Sequence, residues 1–427
     1  MVVFTIKSQI YKLLYKMAVK FKVLIIPFVP QTARTAIKKR ILKQAYPIAG
    51  QQKTNNSSHW AGNGINLIGY ARAEMGIGES CRIAAKSLSA AEIPFGIINF
   101  TGTNSARMSD TSWMHKEVTS PAFNINLFHI NAEQMMEVYA QYGSDIFQNR
   151  YNIGYWHWEL PDFPDEWVDS FELINEVWVP SAFVADSISM KSPVPVVKIP
   201  HSIQVNHFTK RDRSYFNLPE QSFLFLTMYD VKSYQERKNP LAAIEAFKKA
   251  FRPDDMSVGL VIKVNTLKAN LEELDLLTGL ISDYKNIYTI KQILSREDTN
   301  ALIEATDSYI SLHRSEGFGL GLAEAMYLGK PVIGTNWSSN TDFMNQNNSC
   351  VVNYKLIPVG TDHGPYKAYQ HWANPDVEHA GSFMKRLVTD REFCIRVAAN
   401  GQETIKQDFS PSAIGELIKK RLKYIRL

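Results

Sequence analysis

Apolar residues along this chain come in short runs separated by stretches of helical spacing. From Ile65 a five-residue run reaches Gly69, then YARAEMGIGESCRIAAKSLSAA places Gly76 and Gly78 in a loop ahead of a helical stretch, and a second run spans Phe95 to Phe100. Strand, glycine loop, helix and strand is how a parallel α/β domain begins. Runs at Ile125 to His129, Tyr151 to Trp156, Val177 to Val179 and Val194 to Pro200 extend it, and the polar segment His201 to Asn217 marks a boundary. The alternation restarts at Phe223 to Thr227 and continues through Val258 to Val264, Ile287 to Ile290, Tyr309 to Leu312 and Pro331 to Ile333, interleaved with PLAAIEAFKKAF and REDTNALIEAT. Two successive halves predict an α/β protein of two doubly wound domains facing a central cleft, with ligands at the C-terminal ends of the strands.

The residues ahead of Ile65 have a different character. Ile6, Ile10, Leu13, Leu14, Met17, Phe21 and Leu24 are spaced to form one face of a helix, and Lys12, Lys16 and Lys20 another. The first 73 residues hold 12 of the 47 Lys and Arg and no Asp or Glu, which leaves 35 basic against 42 acidic side chains in the remaining 354 residues. A basic amphipathic helix of this kind either lies in the headgroup layer of an anionic membrane or packs on its own domain with a solvated lysine face. The run VLIIPFV from Val23 to Val29 is broken by Pro27 and is far below the ~20 residues needed to span a bilayer. No small-residue cleavage site follows it, so a cytosolic protein is expected. A polar, turn-rich stretch between Gly50 and Gly64 reads as a linker. Three scattered cysteines, Cys81, Cys350 and Cys394, give no disulfide framework or zinc site and fit a reducing compartment.

The densest chemistry lies at Ser315 to Thr335, SEGFGLGLAEAMYLGKPVIGT. With Tyr309 to Leu312 as a strand and Leu322 to Leu328 as a helix, Gly317, Gly319 and Gly321 fall in the turn between them. Glycines there let backbone approach a ligand, and the helix start offers free NH groups and a positive dipole end to an anion such as pyrophosphate. The stretch is neither the dinucleotide fingerprint, since position 322 is Leu322, nor a Walker loop, since no GK[ST] is present. Glu316 in the turn and Glu324 eight residues on are good acceptors for sugar hydroxyls. A pyrophosphate between two polyols would use the glycines and both carboxylates at once.

The segment HRSEGFGLGLAEAMYLGKPVIGT resembles the E-x7-E signature of retaining GT-B glycosyltransferases of family four, with a likeness covering the body from Ile65 onward. The resemblance implies a GT-B fold with Rossmann-like domains at 61–205 and 206–408, an extension at 1–60, and a C-terminal helix at 409–427, within it Ala413 to Ile425, that crosses back. It implies that Glu316 holds the donor sugar, that Glu324 holds the ribose, and that backbone at Phe318, Gly319 and Leu320 reaches sugar and phosphates. Arg237 and Lys238, in FLTMYDVKSYQERKNPLAAIEAF, resemble the family's basic pair for the leaving diphosphate, although here they are adjacent. Gly76 and Gly78 match the loop that approaches the phosphates from the other domain. The stretch GYWHWELPDFPDEW is similar to the WxWEL segment of a bacterial subgroup, and His157 or Glu159 is expected to orient donor sugar or acceptor; aromatic packing is the alternative. GPYKAYQHWANPDVEHAG resembles the same subgroup without a role beyond loop packing, and His313 reads as the end of a buried strand.

The expectation is thus a retaining hexosyltransferase using a nucleotide diphosphate sugar as co-substrate. No Asp-x-Asp occurs, so no metal is expected. The acceptor would be a glycan or lipid-linked saccharide in bacterial surface polysaccharide assembly, with residues 1–45 on an anionic membrane at its cytoplasmic side. A basic extension beside an apolar stripe, on a net acidic body, argues against nucleic acid. The rival readings are a non-catalytic membrane-recruited glycan-binding or scaffold protein, and a GT-B phosphorylase or epimerase.

Overall fold

The computed structural model describes residues 2–21, 29, 31–46, 62–102, 106–206, 208–230, 234–265 and 277–425. Leu24, the 23–28 part of the apolar run and the linker up to residue 61 lie outside them. The first sheet is built from β1 (Ile65–Gly69), β2 (Phe95–Asn99), β3 (Ile125–His129), β4 (Tyr151–Tyr155), β5 (Glu176–Val179) and β6 (Val196–Lys198). The second holds β7 (Phe223–Asp230), β8 (Val258–Asn265), β9 (Ile287–Ile290), β10 (Ser308–Ser311), β11 (Val332–Thr335) and β12 (Cys350–Val352). An antiparallel hairpin, β13 (Tyr354–Pro358) and β14 (His371–Pro375), follows. The helices are α1 (Val2–Lys20), α2 (Gln31–Ala45), α3 (Gly76–Ala90), α4 (Met135–Tyr142), α5 (Ala182–Ser189), α6 (Gln235–Lys238), α7 (Pro240–Ala250), α8 (Arg296–Ala305), α9 (Leu320–Tyr327), α10 (Val377–Thr389), α11 (Arg391–Asp408) and α12 (Pro411–Tyr424).

From Ile65 onward the apolar runs form parallel strands, most of them buried because helices cover the sheet faces, with the edge strands β6 and β9 partly exposed. The strand orders are β2-β1-β3-β4-β5-β6 and β12-β11-β10-β7-β8-β9. In each sheet the first strand sits inside, so connections run outward on both sides. The reversal falls between β1 and β3 in one domain and between β7 and β10 in the other. Loops leaving such a pair diverge and open a crevice at the strands' C-terminal ends. α12 returns from the second domain to lie on α3, where Gly415 is needed because a Cβ would come within 2.6 Å of Ala91 Cβ. Arg421 Nε there meets the fully buried Glu176 Oε1 at 2.9 Å.

Two local expectations are corrected. Gly76 and Gly78 do not lie in a loop: α3 begins at Gly76, and Gly78 sits where a Cβ would be 2.1 Å from Ala73 O. Gly321 is likewise inside α9, which starts at Leu320 rather than Leu322, and a Cβ there would be 2.6 Å from the Tyr309 hydroxyl. Gly78 packs the helix start against the Tyr70 and Ala73 carbonyls and Gly321 packs α9 on β10, while Gly317 and Gly319 lie in the turn, Gly319 at φ +96°.

Candidate active site

The two crevices face each other, and the charged residues of the second domain come from its reversal point. α6 follows β7 and carries Arg237 and Lys238; the 312–319 loop follows β10 and carries Glu316. Lys238 Nζ is 2.5 Å from Glu316 Oε1, while Arg237 Nη1 lies 3.3 Å from Oε2 and donates to Ser315 O at 2.8 Å. Arg237 is 6% and Glu316 8% exposed, so these are not solvated surface charges. Burial works to raise the Glu316 carboxyl, but the Lys238 and Arg237 charges outweigh it and hold it at about 2. Burial in turn pulls the Lys238 ammonium down against the attraction of Glu316. The Glu316 NH donates to Ser338 Oγ at 2.9 Å, and buried His313 pairs with Asn340 Oδ1 at 2.9 Å, which fixes the turn from beneath.

Glu324 lies on the inner side of α9, ion-paired with Arg296 from the start of α8. Burial raises its carboxyl, and Arg296 opposes this. Arg296 also approaches Glu79 Oε1 of α3 at 4.0 Å, so one guanidinium touches carboxylates of both domains. Arg82 fastens the α3 entry by donating to Ala71 O and Ala73 O at 2.9 and 3.0 Å. Nothing lies within 4 Å of a Cβ built on Gly76, leaving the backbone there open.

From the first domain the segment leaving β4 carries His157 and Glu159 in alternation with the buried Trp156 and Trp158. Asn131 Oδ1 accepts from the His157 NH at 3.0 Å, and His157 Nε2 lies 2.9 Å from His201 Nε2. Burial lowers the His157 pKa to about 4, so the ring is neutral at pH 7. Ser315 Oγ donates to Glu159 O, and a Cβ on Gly317 would be 3.7 Å from both His157 Cβ and Glu159 Cγ. The WxWEL segment and the E-x7-E turn therefore meet face to face.

Sequence reasoning missed what closes that end. The loop between β13 and β14 brings Tyr366, 3% exposed, against Trp158 and Tyr234, with ring centroids at 5.5 and 5.2 Å. Its hydroxyl donates to Glu159 Oε2 at 3.1 Å, its ring lies 5.9 Å from the Arg237 guanidinium carbon, and Gln370 Nε2 donates to Asp162 O at 2.9 Å. GPYKAYQHWANP is thus a strap across the cleft, a segment that the sequence marked by resemblance but left without a role beyond loop packing. Arg296 and His201 were also missed; each stands at an element end facing the cleft, the one signal available. His201 packs edge-on against Phe318 at 5.0 Å, tying the inter-domain crossing to the turn. Among the described residues no group of His, Cys, Asp and Glu is arranged to hold a metal ion.

Two doubly wound domains with charged groups converging at both reversal points define the GT-B class. Residues 210–355 match the model of the family "Glycosyl transferases group 1", and with this fold the protein is a glycosyltransferase. Similar solved structures include HepE of Anabaena in complex with UDP and glucose, with a TM-score of 0.60 and 13% identity over 85% of this chain and 100% of that one. Sucrose-phosphate synthase of Thermosynechococcus elongatus gives 0.61 and 14% over 85% and 99%. A glycosyltransferase of Rickettsia africae gives 0.60 and 14% over 85% and 98%. At these identities the likeness is one of fold. No curated protein matches the chain.

Proposed function

We propose that the protein transfers a hexose, with retention of configuration, from a nucleotide diphosphate sugar to a hydroxyl of a glycan or lipid-linked saccharide, as a peripheral enzyme of surface polysaccharide assembly at the inner face of the cell membrane. The observation that carries the reading is the buried Lys238–Glu316–Arg237 group beside the Gly319 helix start, facing His157 and Glu159. Arg237 and Lys238 bring two fixed cations to the mouth of the cleft, where a leaving diphosphate needs positive charge without a metal. The α9 amide groups add to it. HepE, solved with UDP and glucose, supports a nucleotide-sugar donor in a cleft of this fold.

Glu316 orients the sugar, and Glu324 takes the ribose hydroxyls once Arg296 yields. Neutral His157 and Glu159 border the reacting carbon. The sugar C1–O bond breaks with its electron pair passing to the diphosphate oxygen, the acceptor oxygen bonds C1 on the same face, and its proton goes to that diphosphate oxygen. Thermal shift with a panel of nucleotide sugars and nucleotides, on wild type and Glu324→Ala, tests the donor site: one nucleotide family should stabilise the protein and the substitution should weaken it. No shift with any nucleotide sinks the reading. Activity unchanged by EDTA supports metal independence, and a trapped glycosyl-enzyme ester would refute the same-face step.

A further inference from the structure

The N-terminal helix is docked with the face opposite to the one its pattern favours. The partly buried residues of α1 are Ser8, Tyr11, Lys12, Tyr15 and Ala18, which form its inner side. Ser8 Oγ donates to Ala45 O of α2 at 2.6 Å, and Lys12 Nζ lies 5.1 Å from the Tyr46 ring centroid. The apolar stripe faces out: Ile10 is 54%, Leu13 61%, Leu14 43%, Met17 48% and Phe21 44% exposed. Lys7 lies on one flank of this stripe, with Lys16 and Lys20 on the other, all exposed.

The platform beneath is fastened by charge. Lys38 Nζ reaches Glu137 Oε1 of α4 at 2.5 Å, Lys39 Nζ the Glu166 carbonyl at 2.6 Å, and Lys43 Nζ Asp169 Oδ2 at 2.8 Å. Lys38 and Lys43, two of the five basic residues of α2, thus pair with carboxylates of the body, while the lysines flanking the α1 stripe face outward. The run that ends in α4 begins at Asn131, which holds His157, and includes Glu133, whose carboxyl is raised to about 7 by burial and by the nearby Glu159 and Glu137. α1 is therefore seated through α2 on the element that borders the His157 and Glu159 end of the cleft.

We infer that the outward face of α1 docks on an anionic lipid bilayer and presents the sugar end of the cleft to a lipid-anchored acceptor. An exposed stripe of five large apolar side chains edged by lysines, with no acidic residue before Glu74, matches acyl chains beneath anionic headgroups. The acceptor class rests on the transferase reading; the docking does not.

The full chain is tested by co-sedimentation with vesicles of zwitterionic lipid, alone or with about one third anionic lipid. Binding to the anionic vesicles, weakened by salt, is expected. The double substitution Leu13→Glu, Met17→Glu should lower it by at least about tenfold and leave the thermal midpoint unchanged, since both side chains are solvent-facing. Absence of wild-type binding, equal binding by the variant, or a solution dimer that the same substitutions dissociate overturns the inference. With vesicles from the lipid extract of the source cells and a labelled nucleotide sugar, label should enter the organic phase with wild type and fall with the variant. A water-soluble product alone overturns the lipid-anchored acceptor. A protein that binds vesicles but no nucleotide instead refutes the transferase reading.

Discussion

Glu316 is the carboxylate that balances the buried Arg237 and Lys238 charges in the cleft. Removing one partner of a buried ion group leaves the others uncompensated, so Glu316→Gln should cost about 3 kcal/mol in urea unfolding, and added nucleoside diphosphate should restore part of it by neutralising Arg237 and Lys238. Transfer should vanish even though the diphosphate still binds. His157 gives a pH signature of known sign. Its folded pKa of about 4 lies below the ordinary value of 6.5, so the unfolded state binds the extra proton; the stability is fully present above pH 6.5 and is lost as pH falls toward 4. Between pH 7 and 4, wild type should lose up to ~3 kcal/mol more than His157→Gln, read from urea midpoints at each pH. An equal pH slope in the two proteins would mean the ring is solvated.

At the scale of elements, the strap and α9 are the informative parts. Tyr366 links Glu159, Trp158 and Arg237 through one ring and one hydroxyl. Tyr366→Phe keeps the packing and removes the donor to Glu159, so kcat should fall about tenfold with nucleoside diphosphate affinity unchanged. A loss of diphosphate binding instead would place the hydroxyl at the phosphates. Along α9, Gly321→Ala forces a methyl against the Tyr309 hydroxyl and should cost ~1–3 kcal/mol. Adding Tyr309→Phe should return part of that in thermal unfolding, because the nearest clashing atom is then gone.

For the whole molecule, the two domains are joined by more than the crossing chain. Ser181 Oγ donates to Ser339 Oγ at 2.7 Å, Lys198 Nζ meets Asp342 Oδ2 at 3.1 Å, and Arg296 stands between Glu79 and Glu324. α12, which follows the second domain in the chain, completes the core of the first with Ile414 and Ile418. Arg421→Ala leaves Glu176 buried with Trp178 and Tyr151 as partners but without a cation, and should lower the unfolding midpoint by an amount equivalent to about 3 kcal/mol. The first domain should be affected before the second, visible as a split transition.

The alternation of apolar runs and helical stretches by itself determined the two doubly wound halves, because strand burial and helix periodicity are short-range properties. Glu316, Gly319 and Glu324 were legible for the same reason: a strand, a positive-φ turn and a helix start are local. Tertiary structure alone decided the partners. Arg237 and Lys238 reach Glu316 only because β7 and β10 lie side by side at the reversal of the sheet. Tyr366 reaches Glu159 only because a hairpin of one domain bridges to the other. The helical pattern of α1 revealed two faces but not which would be covered; contacts of Ser8 with Ala45 and of Lys12 with the Tyr46 ring, outside the helix itself, seat it with its apolar stripe outward. Such pairings depend on how distant segments face one another, and no window of sequence contains both sides of the contact.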